Sequence, residues 1–403
     1  MSRQVDILFW VTHLFGIGHL RRAMTLTQAF QQAGLRVLLV SGGRPLRQQG
    51  PEPDLGGARF HQLPALHAAD ETFTQLLQAD GAPLDDRLRA QRRETLLALF
   101  QESRPKVLLT EMFPLGRKQL RFELHPLLAA AWARPDRPLI LGSVRDLLVQ
   151  KPAEKTRWMA ETVSQYYDKL LIHGDPDIIP LSASFPQHRQ IAAQLLYSGY
   201  VLNQSPPAPS GAAAAVGQDE ILVSAGGGAF GWHLLDCALK ARDLSRFRQR
   251  RWRFLTGTNR PEAEFRALRQ AAPAGVIVER SRADFPTLLA NCRLSLSQGG
   301  YNTVVESLAA RAPTLVVPFT AGGQSEQLQR ARLLADRGAL RILEDRDLSP
   351  ENLAAALDAL PRRRELTYPP LASDGARRSA ELIKQLLTLD RSKWTNAVIP
   401  VKP

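Results

Sequence analysis

Residues 297–306 read SQGGYNTVVE, preceded by the apolar run LSLS and followed by SLAARAP in a helical pattern. The Ser297 hydroxyl, an amide and the pair Gly299 and Gly300 stand where a strand would turn into a helix. Glu306 follows about one helical turn later. These residue types make an anion cradle, because the first N–H groups of a helix lack intrahelical partners and the helix dipole adds about half a positive charge there. A phosphate suits the cradle, and Glu306 is spaced to reach the hydroxyls of a ribose whose phosphates sit on the turn. Any single turn of this kind is equally well explained by a need for φ > 0 with nothing bound. Two more stretches weigh against that: SAGGGAFG (224–231) and PFTAGGQSEQ (318–327) also end apolar runs.

A second chemistry-bearing stretch lies near residue 19. GIGH (16–19) closes one strand pattern and opens a helical one, setting Gly18 and His19 at a helix N-terminus. The dipole there disfavours an imidazolium and leaves the neutral ring that a general base needs. A helix-capping role is the competing reading.

Metal signals are weak. Asp345-Arg346-Asp347 and Asp175-Pro176-Asp177 match D-x-D by two residues only, and the eight histidines form no H-x-x-x-H pair. Cys237 and Cys292 lack ligand spacing and read as core fillers. Neither a metal nor a cofactor is expected, and no G-x-S-x-G elbow points to a hydrolase.

The elements that must position these residues repeat along the chain. VDILFWVT (5–12), LRVLLVSGG (35–43), KVLLTE (106–111), PLILGSV (138–144) and DKLLIHG (168–174) read as short buried strands, and HLRRAMTLTQAFQQAG (19–34) and RRETLLALFQESRP (92–105) as helices. Strands without alternation are buried on both faces, which predicts a parallel α/β sheet. Residues 44–91, rich in proline and glycine, read as loops. Residues 202–219, LNQSPPAPSGAAAAVGQD, form a linker, after which EILVSA, RWRFLTG, GVIVE, RLSLSQ, TLVVPF and RILE restart the strand pattern. The predicted organisation is an acceptor-side domain at 1–201, the linker, and a donor domain at 220–403, both Rossmann-like and facing a cleft where strand ends bind ligands.

The 403 residues are 44% hydrophobic and 23% charged, with a net charge of +13. The N-terminus leads straight into a strand and no apolar run is long enough to span a membrane, so a cytoplasmic protein is expected. RFRQRRWRF (246–254) interleaves base with aromatic, yet arginine supplies 43 of the 52 basic residues, as codon bias would produce. A solvated basic face is the first reading. Peripheral contact with anionic lipid at the inner membrane face comes second, and nucleic acid last.

The run SLSQGGYNTVVESLAARAPTLVVPFTAGGQSEQLQRARLLADRGA (295–339) resembles the donor-binding region of glycosyltransferase family 28, the MurG-like transferases. The chain is closer still to a bacterial branch of predicted glycosyltransferases, sharing GIGHLRRA (16–23), TEMFPLGR (110–117), SVRD (143–146), HGDP (173–176) and GYV (199–201). The resemblance implies the GT-B architecture of two Rossmann-like domains. It sets Gly227, Gly228, Gly299 and Gly300 against a diphosphate, Glu306 on the ribose, and Glu326 and Gln327 on sugar hydroxyls. It also pairs His19 with a carboxylate from a later strand end, in the position of Glu111, with Asp146 and Asp175 as rivals. LFGIGH (14–19) matches the MurG-type G-G-T-G-G-H only at Gly18 and His19, so the lipid acceptor of that type is not carried over. Retaining transferases of this fold carry a second glutamate eight residues after the first, where this chain has Thr314. The implied activity is inverting, metal-independent transfer from a nucleotide-diphosphate sugar, with UDP as the expected nucleotide, to an acceptor hydroxyl left unidentified. A nucleotide-sugar epimerase of the same fold and a non-catalytic binding module are the alternatives.

Overall fold

The computed structural model describes residues 4–14, 16–45, 54–69, 75–202, 215–225, 231–257, 260–320 and 326–395. The chain divides into two compact units: Met1–Asn203 together with Ala372–Pro403, and Gln204–Leu371.

In the first unit, β1 (Ile7–Val11), β2 (Val37–Gly43), β3 (Arg59–Ala68), β4 (Leu76–Gln78), β5 (Val107–Glu111), β6 (Leu139–Arg145), β7 (Lys169–His173) and β8 (Leu195–Tyr197) form one sheet. Its spatial order is β4-β3-β2-β1-β5-β6-β7-β8. Every neighbouring pair is parallel except β3 with β4. The strand order reverses between β1 and β5, which opens a crevice at their carboxyl ends. Helices α1 (Gly18–Gln32), α2 (Asp86–Ser103), α3 (Arg121–Ala133) and α4 (Ala153–Tyr166) flank the sheet.

Alternate residues of β1 enter two separate cores, Leu8 and Trp10 on one face, Ile7, Phe9 and Val11 on the other. This two-sided burial is what its unbroken apolar run predicts. Between α2 and α3, Arg92 and Glu123 form a fully buried ion pair, with the guanidinium donating to both carboxylate oxygens at 2.8 Å. The same guanidinium donates to the Gly42 carbonyl at 3.1 Å, and Trp10 Nε1–H donates to Glu123 at 3.2 Å.

The region 44–91, expected as loops, holds β3, β4 and the start of α2. Pro64 and the exposed Arg59 and Phe60 deny β3 the apolar run of a central strand. Its register against β2 also shifts near Gly43. Helix α2 starts earlier than its apolar pattern, at Asp86, because the Asp85 carboxylate accepts from Leu88 N at 2.7 Å and caps the first turn.

The second unit contains β9 (Ile221–Ser224), β10 (Trp252–Thr256), β11 (Val276–Arg280), β12 (Leu294–Ser297), β13 (Thr314–Val316) and β14 (Arg341–Ile342), all parallel, in the order β11-β10-β9-β12-β13-β14. Helices α5 (Trp232–Leu244), α6 (Glu262–Ala271), α7 (Phe285–Asn291), α8 (Tyr301–Ala309), α9 (Glu326–Asp336) and α10 (Pro350–Asp358) accompany it. Here the order reverses between β9 and β12.

The last helix, α11 (Gly375–Leu387), departs from the division read off the sequence, which placed 220–403 in one domain. Residues 372–403 belong to the first unit. Ala380, Leu382, Ile383 and Leu386 of α11 share a core with Leu20, Ala23, Leu26 and Phe30 of α1 and with Phe9 and Val11 of β1. Tyr200 N donates to the Ala372 carbonyl at 2.7 Å and Gly375 N to the Tyr200 carbonyl at 3.0 Å, tying the returning chain down.

The basic run 246–254 is not an interleaved surface. Phe247, Trp252 and Phe254 are buried, Arg250 pairs with Asp219, and Arg253 pairs with Glu220 and Glu279 at 2.7 and 2.8 Å. Cys237 and Cys292 are free and buried. Among the described residues no helix is long and apolar enough to cross a membrane.

Candidate active site

Sequence leaves three carboxylates competing for His19, and strand order separates them. His19 is the second residue of α1, which follows β1, and β5 is hydrogen-bonded directly to β1. Each further strand adds ~4.8 Å, so Asp146 beyond β6 and Asp175 beyond β7 start one and two strands farther away. Glu111, the last residue of β5, meets the ring: His19 Nδ1 lies 3.0 Å from its Oε1. Asp146 instead accepts from Leu147 N at 2.7 Å, and the Asp175 carboxylate closes a turn by accepting from Asp177 N at 2.9 Å. His19 does not cap its helix: the cap position is Ile17, Gly18 opens the helix, and no side-chain cap bond is made there.

Arg22, one turn along α1, also donates to Glu111 Oε1, and its Nη2 lies 3.2 Å from His19 Nδ1. Two donors then converge on one carboxylate oxygen. Since an ionised carboxylate only accepts, Nδ1 carries the ring proton and donates it to Glu111, which leaves Nε2 as the basic nitrogen. The second oxygen, Oε2, accepts from Ser143 Oγ at 2.5 Å.

Burial alone would raise the Glu111 carboxyl, but the Arg22 charge, the His19 ring and the Ser143 hydroxyl overcome it and hold the group at about 2. Burial lowers the His19 ring, and Arg117 and Arg22 add to that against the opposing Glu111 bond, leaving it at about 3. The ring is therefore neutral at pH 7. With a side-chain exposure of 17%, it can still be reached from outside. Arg22, Ser143 and His173, whose Nε2 lies 2.9 Å from Ser143 Oγ, are the members of this cluster whose roles the sequence did not signal. Ser143 and His173 stand in SVRD and HGDP, where the carboxylates Asp146 and Asp175 carry the stronger chemical signal.

In the second unit, the three glycine-bearing stretches follow β9, β12 and β13 in the chain, and these strands are adjacent at the middle of the sheet. Gly227 and Gly228 lie outside the described residues. Ser297 is the last residue of β12, with its hydroxyl buried. Gly299 has φ +79°, and a Cβ there would stand 2.5 Å from Val316 Cγ1. Gly300 is the cap residue of α8, with φ −57° and ψ 148°, a conformation open to any residue. A Cβ on it meets no described atom within 4 Å. The fold thus demands glycine at 299 and not at 300, where the bare backbone leaves room for a group from outside. Glu306 is buried in α8 and Glu326 is buried at the start of α9. Gln327 accepts from Phe319 N at 3.2 Å, which ties the start of α9 to the segment after β13. Among the described residues no three His, Cys, Asp or Glu side chains cluster as a metal site would require.

Two Rossmann-like sheets of mainly parallel strands, each with a reversal in strand order, define the GT-B class of glycosyltransferase fold. The crystal structure of Acinetobacter baumannii MurG matches with a TM-score of 0.58 at 16% identity, over 94% of this chain and 99% of that one. The structure of Phytolacca americana UGT2 complexed with UDP-2fluoro-glucose and pterostilbene matches with a TM-score of 0.58 at 13% identity, over 96% and 99%. Within that class, residues 264–386 match the glycosyltransferase family 28 C-terminal domain, a stretch that runs through most of the second unit and into α11 of the first. A UDP-N-acetylglucosamine--N-acetylmuramyl-(pentapeptide) pyrophosphoryl-undecaprenol N-acetylglucosamine transferase of Anaeromyxobacter sp. (strain K) is 34% identical over 116 residues. That stretch covers 28% of this chain and 30% of the relative's length.

Proposed function

We propose that this protein is an inverting glycosyltransferase that moves a sugar from a nucleotide-diphosphate donor to an acceptor hydroxyl without calling on a metal. The observation that carries the reading is the His19–Glu111 pair at the order reversal of the first sheet. Nε2 of His19 takes the acceptor proton while the acceptor oxygen attacks the anomeric carbon from the face opposite the diphosphate. The bond to the diphosphate breaks with its electron pair on the leaving group. Glu111 stabilises the imidazolium that forms, and base catalysis of this kind contributes ~10²–10⁴-fold.

On the donor side, the glycine turns and the N-terminus of α8 offer backbone N–H groups to the diphosphate, and Gly300 keeps the approach clear. Glu306 takes the ribose hydroxyls, and Glu326 and Gln327 the sugar. UDP is the nucleotide favoured, because the relative named above acts on UDP-N-acetylglucosamine and a structure of the same fold holds a UDP-sugar.

The test begins with a screen of nucleotide sugars for thermal protection, followed by product analysis. Transfer consumes acceptor and inverts the anomeric centre, epimerisation yields an isomeric donor, and a binding module changes neither. His19→Ala is expected to lower transfer by about 10²–10⁴-fold while donor affinity stays within twofold. A stable, donor-binding and fully active variant would remove the base assignment.

A further inference from the structure

Behind Glu111, a line of buried polar side chains crosses the first sheet. Glu111 and Ser143 are register partners on β5 and β6, and His173 on β7 is the partner of Arg145, two residues beyond Ser143 on the same face. Ser198 follows β8, next to β7. Ser143 Oγ lies 2.9 Å from His173 Nε2, and His173 Nδ1 lies 2.9 Å from Ser198 Oγ. Ser143, His173 and Ser198 are all 0% exposed. We propose that Ser143, His173 and Ser198 form a directed hydrogen-bond relay that orients Glu111 and thereby holds His19 in a single ring tautomer, which makes Ser143 and His173 positioning residues of the site.

Donor counting sets the direction of every bond. A hydroxyl has one proton, and Ser143 gives its own to the Glu111 carboxylate, which can only accept. The Ser143 oxygen therefore accepts from His173 Nε2–H. A neutral His173 then presents Nδ1 as an acceptor, and Ser198 Oγ–H donates to it. The alternative acceptors near Ser198 Oγ are the Gly199 carbonyl at 3.2 Å and the Ile172 carbonyl at 3.4 Å, both longer.

Glu111 is thus gripped at both oxygens: Oε1 by Arg22 and His19, Oε2 by Ser143. A carboxylate held only at Oε1 can rotate, and its tie to His19 Nδ1–H becomes one geometry among several. The second grip keeps the ring proton on Nδ1 and the lone pair of Nε2 directed outward. The charged groups acting on Glu111 and His19 from the surrounding elements are Arg22 of α1, Arg117 of the segment after β5 and, through Arg117, Arg145 of β6. None of these cations accepts a hydrogen bond, so none can replace Ser143 as the acceptor of His173 Nε2–H.

The proposal rests on the transferase reading for its consequence but not for its geometry, and the test has an arm for each. Nitrogen-15 NMR of histidine-labelled protein, assigned through His→Gln variants, reports ring tautomers without any substrate. His173 is expected as the neutral Nε2–H form and His19 as the neutral Nδ1–H form. In Ser143→Ala, which removes one oxygen atom, His19 is expected to become a mixture of tautomers. His173 in the Nδ1–H form, or His19 unchanged in Ser143→Ala, would overturn the relay even if no acceptor were ever found. With an acceptor in hand, Ser143→Ala and His173→Phe should lower kcat about tenfold to a hundredfold, with donor KM within twofold. His173→Gln, whose amide can donate toward Ser143, should recover most of the loss. A purely structural role predicts a lower thermal midpoint, unchanged kcat per folded molecule and no rescue. Should His173→Phe fail to fold, Ser143→Ala and His173→Gln carry the test.

Discussion

Gly299 and Gly300 are chain neighbours whose missing side chains answer to different causes. At Gly299 the positive φ and the Val316 methyl 2.5 Å from a would-be Cβ both exclude a side chain. Gly299→Ala is expected to cost about 1–3 kcal/mol of stability from backbone strain and crowding. At Gly300 neither cause operates, so Gly300→Ala should leave stability within about 0.5 kcal/mol. If a diphosphate lies against that backbone, the added methyl should weaken UDP binding by about tenfold, or ~1.4 kcal/mol. Thermal unfolding and calorimetry with UDP on the two variants separate the effects. An unchanged UDP affinity in Gly300→Ala would remove the diphosphate from this turn. The paired glycines are visible in the sequence. That only one of them is structurally obligatory depends on Val316, which is brought there by the pairing of β12 with β13.

Among the elements, α2 and α3 are held by the Arg92–Glu123 pair, with both side chains fully buried. Removing one partner strands the other charge in a medium that cannot solvate it. Glu123→Ala is therefore expected to lower stability by about 3–5 kcal/mol, measured by denaturant unfolding. Replacing both residues by apolar ones of similar volume should cost much less, although the Gly42 carbonyl then loses a donor. The sequence does not show this pair, because each residue alone reads as an ordinary polar position on a helix. The pairing exists because α2 and α3 pack together, and Trp10 of β1 donates to the same carboxylate.

At the scale of the whole molecule, three histidines of the first unit, His13 and His173 buried and His19 partly so, make stability depend on pH. Burial, followed by the Arg117 charge, lowers His13 from 6.5 to about 4. Burial lowers His19 and His173 to about 3, with Arg22 acting in the same direction on both. These folded values lie below the unfolded one, so the unfolded chain binds more protons between them. Stability is fully present above about pH 6.5 and is lost as pH falls toward 3–4, and Glu111, held at about 2 against 4.5, adds a loss of the same sign at lower pH. Each histidine contributes a slope of about 1.4 kcal/mol per pH unit inside that window. Chemical denaturation from pH 7.5 to 4.5 should show the decline, and His173→Gln should flatten it by about one proton. An equal slope in that variant would contradict a buried, neutral His173.

The second prediction at this scale concerns the chain's return. Ending the chain at residue 371 removes Leu382, Ile383, Leu386 and Trp394 from the core that covers α1 and one face of the first sheet. Each large apolar side chain is worth about 1.5–3 kcal/mol when buried, so the first unit should unfold or become protease-sensitive while the second keeps its fold. Hydrogen exchange across β1 and α1 would show it. Part of the net positive charge also has a structural use: Arg363 donates to the Ala290 carbonyl at 2.9 Å and the Ala310 carbonyl at 2.7 Å, near the C-terminal ends of α7 and α8. Cations there offset the negative ends of the helix dipoles.

The sequence by itself determined the short apolar runs that become parallel strands, the glycine turns at their ends and the imidazole opening the first helix. Each is a local pattern set by burial on both faces, by backbone freedom or by a helix terminus. Tertiary structure decided which strand ends meet. Glu111, Asp146 and Asp175 all stand at or just past the ends of similar runs, and Glu111 reaches His19 because β5, not β6 or β7, is bonded to β1. It also decided which sheet α11 covers, since the spacing of its apolar residues shows that the helix has a buried face but not what lies against it. The backbone bonds from Tyr200 to Ala372 and from Gly375 to Tyr200 carry the chain back to the first unit, and that long-range closure has no signature in any local window.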